Sequence, residues 1–281
     1  MERVTEVDSG IHQLVSYRDN FAGLPGSNVF YVVGDNGAVF IDTGYDHEGD
    51  HGMRVQLWRD TGSPELLQII AMHRHADHAG GAATLSQATG APIACHPEDR
   101  SSIEEEQLKG RADVSKLFTG GESIDLGNMT IEISHAPGHT PGSLAVFIPE
   151  RGALFTTDTV LANSTTAIGD QGDMAEYVRT LGEFQEFDSR VIYPGHGGPI
   201  TDTSNWLAYL LKHRQEREEQ LLTEITGGRN TIEALGTFLY PKLTSPRTQA
   251  MGQTQVRTML RKLASEGKVT QAEDGTITVA R

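Results

Sequence analysis

The stretch His73-Arg74-His75-Ala76-Asp77-His78-Ala79-Gly80-Gly81 decides how this chain is read. It places three imidazoles and a carboxylate within six residues. With 11 His among 281 residues, an HxHxDH run arises by chance on the order of once in a thousand such chains. Imidazole and carboxylate are donors that borderline divalent cations accept. An extended backbone sends His73, His75 and Asp77 to one side and turns Arg74 and Ala76 away. His78 then opens a helix containing Gly80 and faces a second cation.

Three further ligand types fall where the flanking pattern allows them to meet this run. Strands are expected at NVFYVV from Asn28, AVFID ending at Asp42, LQIIAM ending at Met72, TIEIS from Thr130, SLAVFI from Ser143, ALFTT ending at Thr157 and VIY ending at Tyr193. Helices are expected from near His47, Gly80 and Asp173. His139 follows TIEIS, Asp158 follows ALFTT, and His196 follows VIY. Active sites of α/β proteins gather beyond the carboxyl ends of strands, so these segments can converge on one cleft. Five imidazoles and two carboxylates suit two divalent cations, zinc first, with manganese or iron as alternatives.

At these residues the chain resembles the metallo-β-lactamase-fold hydrolases, in the branch that holds glyoxalase II and the lactamase-like single-strand endoribonucleases. The resemblance covers roughly residues 10–200. It implies an αββα four-layer sandwich in the α/β class, with His73, His75 and His139 on a first metal and Asp77, His78 and His196 on a second. Asp158 would bridge the two, and Asp77 would also orient a bridging hydroxide or move a proton. Secreted β-lactamases fit less well, since many carry Cys where this chain has Asp158. The RNA 3′-processing branch has a large inserted domain for which this chain has no room. Asp42 and Thr140 are plausible orienting partners of the ligands, although Asp42, ahead of Thr43-Gly44, serves equally well as a turn cap. The remaining histidines, His12, His47, His51, His96, His135 and His213, are read as structural or surface groups, with His135 the nearest to a ligand in sequence. Tyr193 is read as a core aromatic.

A chain of 281 residues accommodates a domain of about 200 residues and a smaller one. At 37% hydrophobic and 22% charged residues it is globular, and it has no apolar run near the roughly 20 residues of a membrane helix. The acidic start MERVTEVDSG lacks the basic, then apolar, order of a secretory signal, which points to the cytoplasm. The single cysteine, Cys95, excludes an intrachain disulfide and reads as a buried structural thiol. Residues 1–205 carry 12 basic against 30 acidic side chains, whereas 206–281 carry 11 against 8. The two regions therefore present different surfaces, and the acidic body disfavours bulk attraction to a polyanion.

The organisation expected is a catalytic domain over 1–203, a linking helix over 204–228, and a winged-helix-like module over 229–281. That module would hold a helix at Thr231–Leu239 and a second with Val256, Met259, Leu260 and Leu263 on one face. A closing hairpin of KVTQA and TITVA would turn at Asp274-Gly275, a two-residue turn signal.

These features predict a cytoplasmic dinuclear hydrolase acting on a small acyl substrate, a thioester, ester or lactone, with no membrane partner and with homodimerisation as an option. Single-strand endoribonuclease activity is the first alternative, because helix, helix and hairpin resemble the C-terminal module of those enzymes and Arg257 and Arg261 can touch phosphates. Against it, the tail lacks interleaved stacking aromatics. A mononuclear iron oxygenase of the persulfide type and a non-catalytic binding protein are the others. Strict glyoxalase II activity is disfavoured, since TVLANSTTAIGDQGDMAEYVRTL after Asp158 lacks the Gly-Cys-Gly-Arg segment usual there. That segment and NFAGLPGSNVF (20–30) are expected to wall the pocket.

Overall fold

The computed structural model describes residues 3–17 and 26–280. Residues 18–25, which include most of the first pocket-wall segment expected above, lie outside the described residues. The chain divides into two compact units: Met1–Ala136, Gly142–Thr165 and Phe187–Thr203 form the first, and Pro137–Pro141, Thr166–Glu186 and Ser204–Arg281 form the second.

In the first unit, β1 (Val4–Asp8), β2 (Ile11–Ser16), β3 (Ser27–Gly34), β4 (Gly37–Ile41), β5 (Leu66–Ile70), β6 (Ile93–Cys95) and β7 (Val114–Leu117) make a seven-stranded sheet in sequence order. Its first four strands run antiparallel and the last three continue parallel from β4. The parallel strands need crossovers, supplied by α1 (Glu48–Asp60) after β4 and by α2 (Ala76–Ala79) and α3 (Ala82–Thr89) after β5. A further short helix, α4 (Pro97–Ser102), follows β6. A second sheet carries β8 (Ser123–Asp125), β9 (Thr130–His135), β10 (Leu144–Ile148), β11 (Ala153–Thr157) and β12 (Val191–Pro194), in the order β12-β11-β10-β9-β8.

Period-two alternation divides the buried residues of the first sheet between its faces. Val29, Tyr31, Phe40 and Ile69 join Leu57 and Leu85 of the helices in one cluster. Phe30, Val32, Val39, Ile41 and Ile70 meet Ile131, Ile133, Val146, Phe155 and Tyr193 of the second sheet in another. The Phe30 ring lies 4.9 Å from Phe155 and 5.3 Å from Tyr193, which places Tyr193 in the core as expected. Burial of β3, β4 and β5 on both faces accounts for their continuous apolar runs.

In the second unit, α5 (Met174–Phe184), α6 (Thr203–Thr226), α7 (Ile232–Leu239), α8 (Pro246–Ser265), β13 (Val269–Gln271) and β14 (Ile277–Val279) follow in order. The apolar face of α8, with Val256, Met259, Leu260 and Leu263, is buried together with Leu221, Leu235 and Ile277. Lys262 of α8 pairs with Glu218 of α6 over 2.8 Å. The hairpin differs from the expected two-residue turn. Gln271 pairs with Ile277, so residues 272–276 connect the strands; the Ala272 N–H donates to Thr276 O across this loop, and Gly275 is left-handed at φ +85. Asp274-Gly275 is compatible with this longer turn because Gly supplies its positive-φ position. Among the described residues, no helix is long and apolar enough to cross a membrane.

Candidate metal centre

The chain turns sharply after the apolar strands, and those turns carry the polar residues. Asp42 follows β4, the His73–His78 run follows β5, Asp158 follows β11 and His196 follows β12. His73 and His75 do face one another, although across a bend rather than along an extended strand, and Asp77 departs from the expected alternation. Strand β5 ends at Ile70 and α2 begins at Ala76, so Asp77 and His78 are consecutive helical residues with His75 as N-cap. Helical geometry directs the Asp77 carboxylate toward His78 and His196.

Four ligand atoms face one another in that direction. His78 Nε2 lies 3.6 Å from Asp77 Oδ2 and 3.4 Å from Asp158 Oδ1. His196 Nε2 lies 3.3 Å from Asp77 Oδ2 and 3.4 Å from the same Asp158 oxygen. Donors about 2.1 Å from a tetrahedral cation stand about 3.4 Å apart, so these separations fit such a cation. The His78 side chain is fully buried and its Nε2 makes no hydrogen bond. A buried polar nitrogen without a hydrogen bond is costly unless something else satisfies it, and a cation would do so. Beside this group, His73, His75 and Asp158 present ligand atoms within 4.8 Å of one another. His73 Nε2 is 3.0 Å from His75 Nδ1.

The far sides of the rings are held by acceptors. His78 Nδ1 meets Asp42 Oδ2 at 2.8 Å, and His196 Nδ1 meets the Gly26 carbonyl at 3.0 Å. His73 Nδ1 meets Thr157 Oγ1 at 3.1 Å. When neutral, each of these rings then carries its proton on Nδ1 and leaves Nε2 bare, the form a metal requires. His139 shows the same pattern within the second unit, with Nδ1 3.1 Å from Ala167 O. Thr140, also in that unit, is buried, and its carbonyl accepts from Gly138 N–H.

Negative charge is concentrated around these rings. Burial works against a proton on His78, yet Asp158 and then Asp42 outweigh it and hold the group well above the ordinary imidazole range. His196 is likewise opposed by burial but pushed up to about 10 by Asp158 and Asp77. Burial raises Asp77, and its neighbours His196 and His78 more than compensate, leaving it below the usual carboxylate range. Protons on the imidazoles thus offset charge that bound cations would otherwise neutralise.

Residues 22–196 match the metallo-beta-lactamase superfamily. The chain belongs to that superfamily. As such it is a metal-dependent hydrolase with the mixed α/β metallo-β-lactamase fold. It is 25% identical over 238 residues to the lactamase-like protein nscB of Trichophyton rubrum, covering 84% of this chain and 69% of the relative. It is 26% identical over 255 residues to the atrochrysone carboxyl ACP thioesterase of Passalora fulva, covering 87% and 72%. Among solved structures, a metallo-beta-lactamase family protein from Thermus thermophilus superposes with a TM-score of 0.79 at 21% identity, over 98% of this chain and 100% of that one.

Thr157, Asn28 and Asp99 were not singled out by sequence. Thr157 sits left-handed at φ +43 and its hydroxyl donates to Asp42 Oδ2. Asn28 Nδ2 donates to Pro194 O and Gly197 O, the carbonyls on either side of His196, each at 2.8 Å. Asp99 accepts from Arg74 N at 3.1 Å and Gly142 N at 3.2 Å, bracing the backbone between His73 and His75. Ser, Thr, Asn and Asp fill loops for many local reasons, so such long-range partners leave no sequence signal.

Three of the other histidines have local structural partners. His47 and His96 cap the N-termini of α1 and α4, accepting from Gly49 N and Glu98 N. His96 also stacks on His135, with centroids 3.9 Å apart. Arg257 and Arg261 are not a free basic face: Arg257 Nε pairs with Asp170 Oδ1 at 3.2 Å, and Arg261 donates to Asp170 O and Gly172 O.

Proposed function

We propose that this hydrolase holds two divalent cations, zinc foremost, and cleaves a small acyl substrate, a thioester before an ester or lactone. The observation that carries the dinuclear reading is the spacing of His78 Nε2, His196 Nε2, Asp77 Oδ2 and Asp158 Oδ1, with His73 and His75 presenting a second group that also uses Asp158. His139 completes the first set in this reading: it lies in the turn between β9 and β10, and its Nδ1 is occupied by a carbonyl. Bound cations of this kind supply hydroxide at neutral pH and polarise the scissile carbonyl. The chain's own residues orient the ligands: Asp42 holds His78, Thr157 holds His73, and the Gly26 carbonyl holds His196. Asp77, ionised and beside both His78 and His196, is placed to accept or pass a proton.

The thioester preference is supported by the name of the Passalora relative and by the engagement of Arg257 and Arg261 with Asp170 and Gly172, which competes with any phosphate contact by these two arginines. Helices α7 and α8 with the β13-β14 hairpin are read as the winged-helix-like module. The test is to assay zinc-loaded protein against acyl thioesters, lactones and single-stranded RNA in parallel. Thioester turnover that disappears with EDTA and returns with zinc supports the proposal. RNA cleavage without acyl hydrolysis overturns it.

A further inference from the structure

We infer that helix α8 positions the His139 imidazole, and that Gln255 is the positioning residue through which it acts. The inference rests on the reading of His139 as a metal ligand.

The segment 166–172 has almost no regular secondary structure, so its backbone groups must find partners elsewhere. Many of them find those partners on the C-terminal helices. Arg214 of α6 donates to Thr166 O. Gln255 Oε1 accepts from Ile168 N at 3.1 Å, and its Nε2 donates to Ile168 O at 2.8 Å. Arg261 donates to Asp170 O at 2.9 Å. The carbonyl between the Thr166 and Ile168 attachments, Ala167 O, receives His139 Nδ1.

Peptide planarity makes Gln255 decisive. The Ala167 carbonyl and the Ile168 N–H belong to one peptide unit and point in opposite directions. By holding the N–H edge, Gln255 fixes where the carbonyl edge points, and that carbonyl sets the tautomer and rotation of His139. The turn carrying His139 is braced as well. Gly138 has φ +134, and a Cβ there would lie 2.4 Å from Tyr177 Cα. Thr180 Oγ1 donates to Pro137 O, and Asp173 N donates to Gly138 O. With the turn braced on one side and the Ala167 peptide held on the other, the Ala167 carbonyl meets the ring at Nδ1.

The arrangement gives the C-terminal helices a role in orienting His139 that requires no nucleic acid. The arginines that resemble a phosphate contact hold the strap instead, with Gln255 completing the attachment one residue from the His139 partner.

The test compares Gln255→Leu with His139→Ala in the full chain, by stepwise zinc titration against a chromophoric chelator and by nitrogen-15 NMR of the histidine rings. Removal of a group that orients a metal ligand costs about 10–100-fold in affinity. The expected result for Gln255→Leu is a loss of that size confined to one of two zinc steps, with His139 shifting from the Nδ1–H form to a mixture of tautomers. His139→Ala should weaken the same step further. If His139→Ala leaves both steps unchanged, the ligand reading of His139 fails. If His139→Ala weakens a step while Gln255→Leu changes neither affinity nor tautomer, the role of Gln255 is overturned and the ligand reading stands. Equal weakening of both steps with a fallen melting temperature in Gln255→Leu also overturns it, marking a general structural role.

Discussion

The Thr157 hydroxyl and the Asp42 carboxylate meet at 3.1 Å, and both residues hold left-handed backbone, at φ +43 and +59. A β-branched residue rarely adopts such a conformation, which costs on the order of 1–3 kcal/mol and persists only where surrounding contacts impose it. Here the contacts are specific. Asp42 Oδ2 takes the Thr157 hydroxyl and His78 Nδ1, and the Thr157 oxygen faces His73 Nδ1. One carboxylate oxygen and one hydroxyl thereby orient an imidazole from each proposed metal set.

Removing only that hydroxyl should weaken zinc binding. Thr157→Val keeps the shape but strips the donor from Asp42 and the acceptor from His73, so we expect about a 10–100-fold loss of affinity. Thr157→Ser should stay close to native. Equal affinities for the two variants in a chelator-competition titration would refute the role of the hydroxyl.

Metal-free protein should lose stability as the pH rises from about 6.5 toward 10. His196 titrates near 6.5 in an unfolded chain and at about 10 in the fold. A raised folded value means the stabilisation is complete below the unfolded value and vanishes as the pH passes the folded one. Zinc replaces the proton, so the gap in melting temperature between zinc-loaded and EDTA-treated protein should widen across this window. Calorimetry showing a constant or rising melting temperature for the metal-free form would contradict this.

His75→Ala should cost more than about 100-fold in hydrolysis, since even an indirect partner costs 10–100-fold. His75 is not among the buried core residues, so the variant's metal-free melting temperature should stay close to that of the metal-free parent. Retained turnover at full zinc occupancy would remove His75 from the centre.

Cys95 should be inert in the native protein. Burial, and then the charges of Asp99 and Glu104, push its thiol up to about 12. We expect no reaction with a disulfide reagent at pH 8 and one equivalent after denaturation. Rapid native labelling would show the site to be accessible.

The sequence was informative where chemistry and spacing are local, and silent where partners are distant. The meeting of the HxHxDH run with Asp158 and His196, and the apolar strands of both sheets, were legible because each depends on residue type and short period. The helical start at Ala76 was not, because an alternating-strand reading through His75 gives no sign of where the chain coils, and it redirects Asp77. Thr157 and Gln255 were invisible for a different reason. A threonine at a strand end and a glutamine on a helix acquire meaning only from Asp42 and Ile168, which lie 115 and 87 residues away.

Asn28 ties the two carbonyls around His196 to the start of β3, and its own N–H bonds Gly195 O. A cut or a local opening near Ser27 would therefore slacken the loop that presents His196, so damage to an early strand would show first as metal leakage, ahead of any global melting.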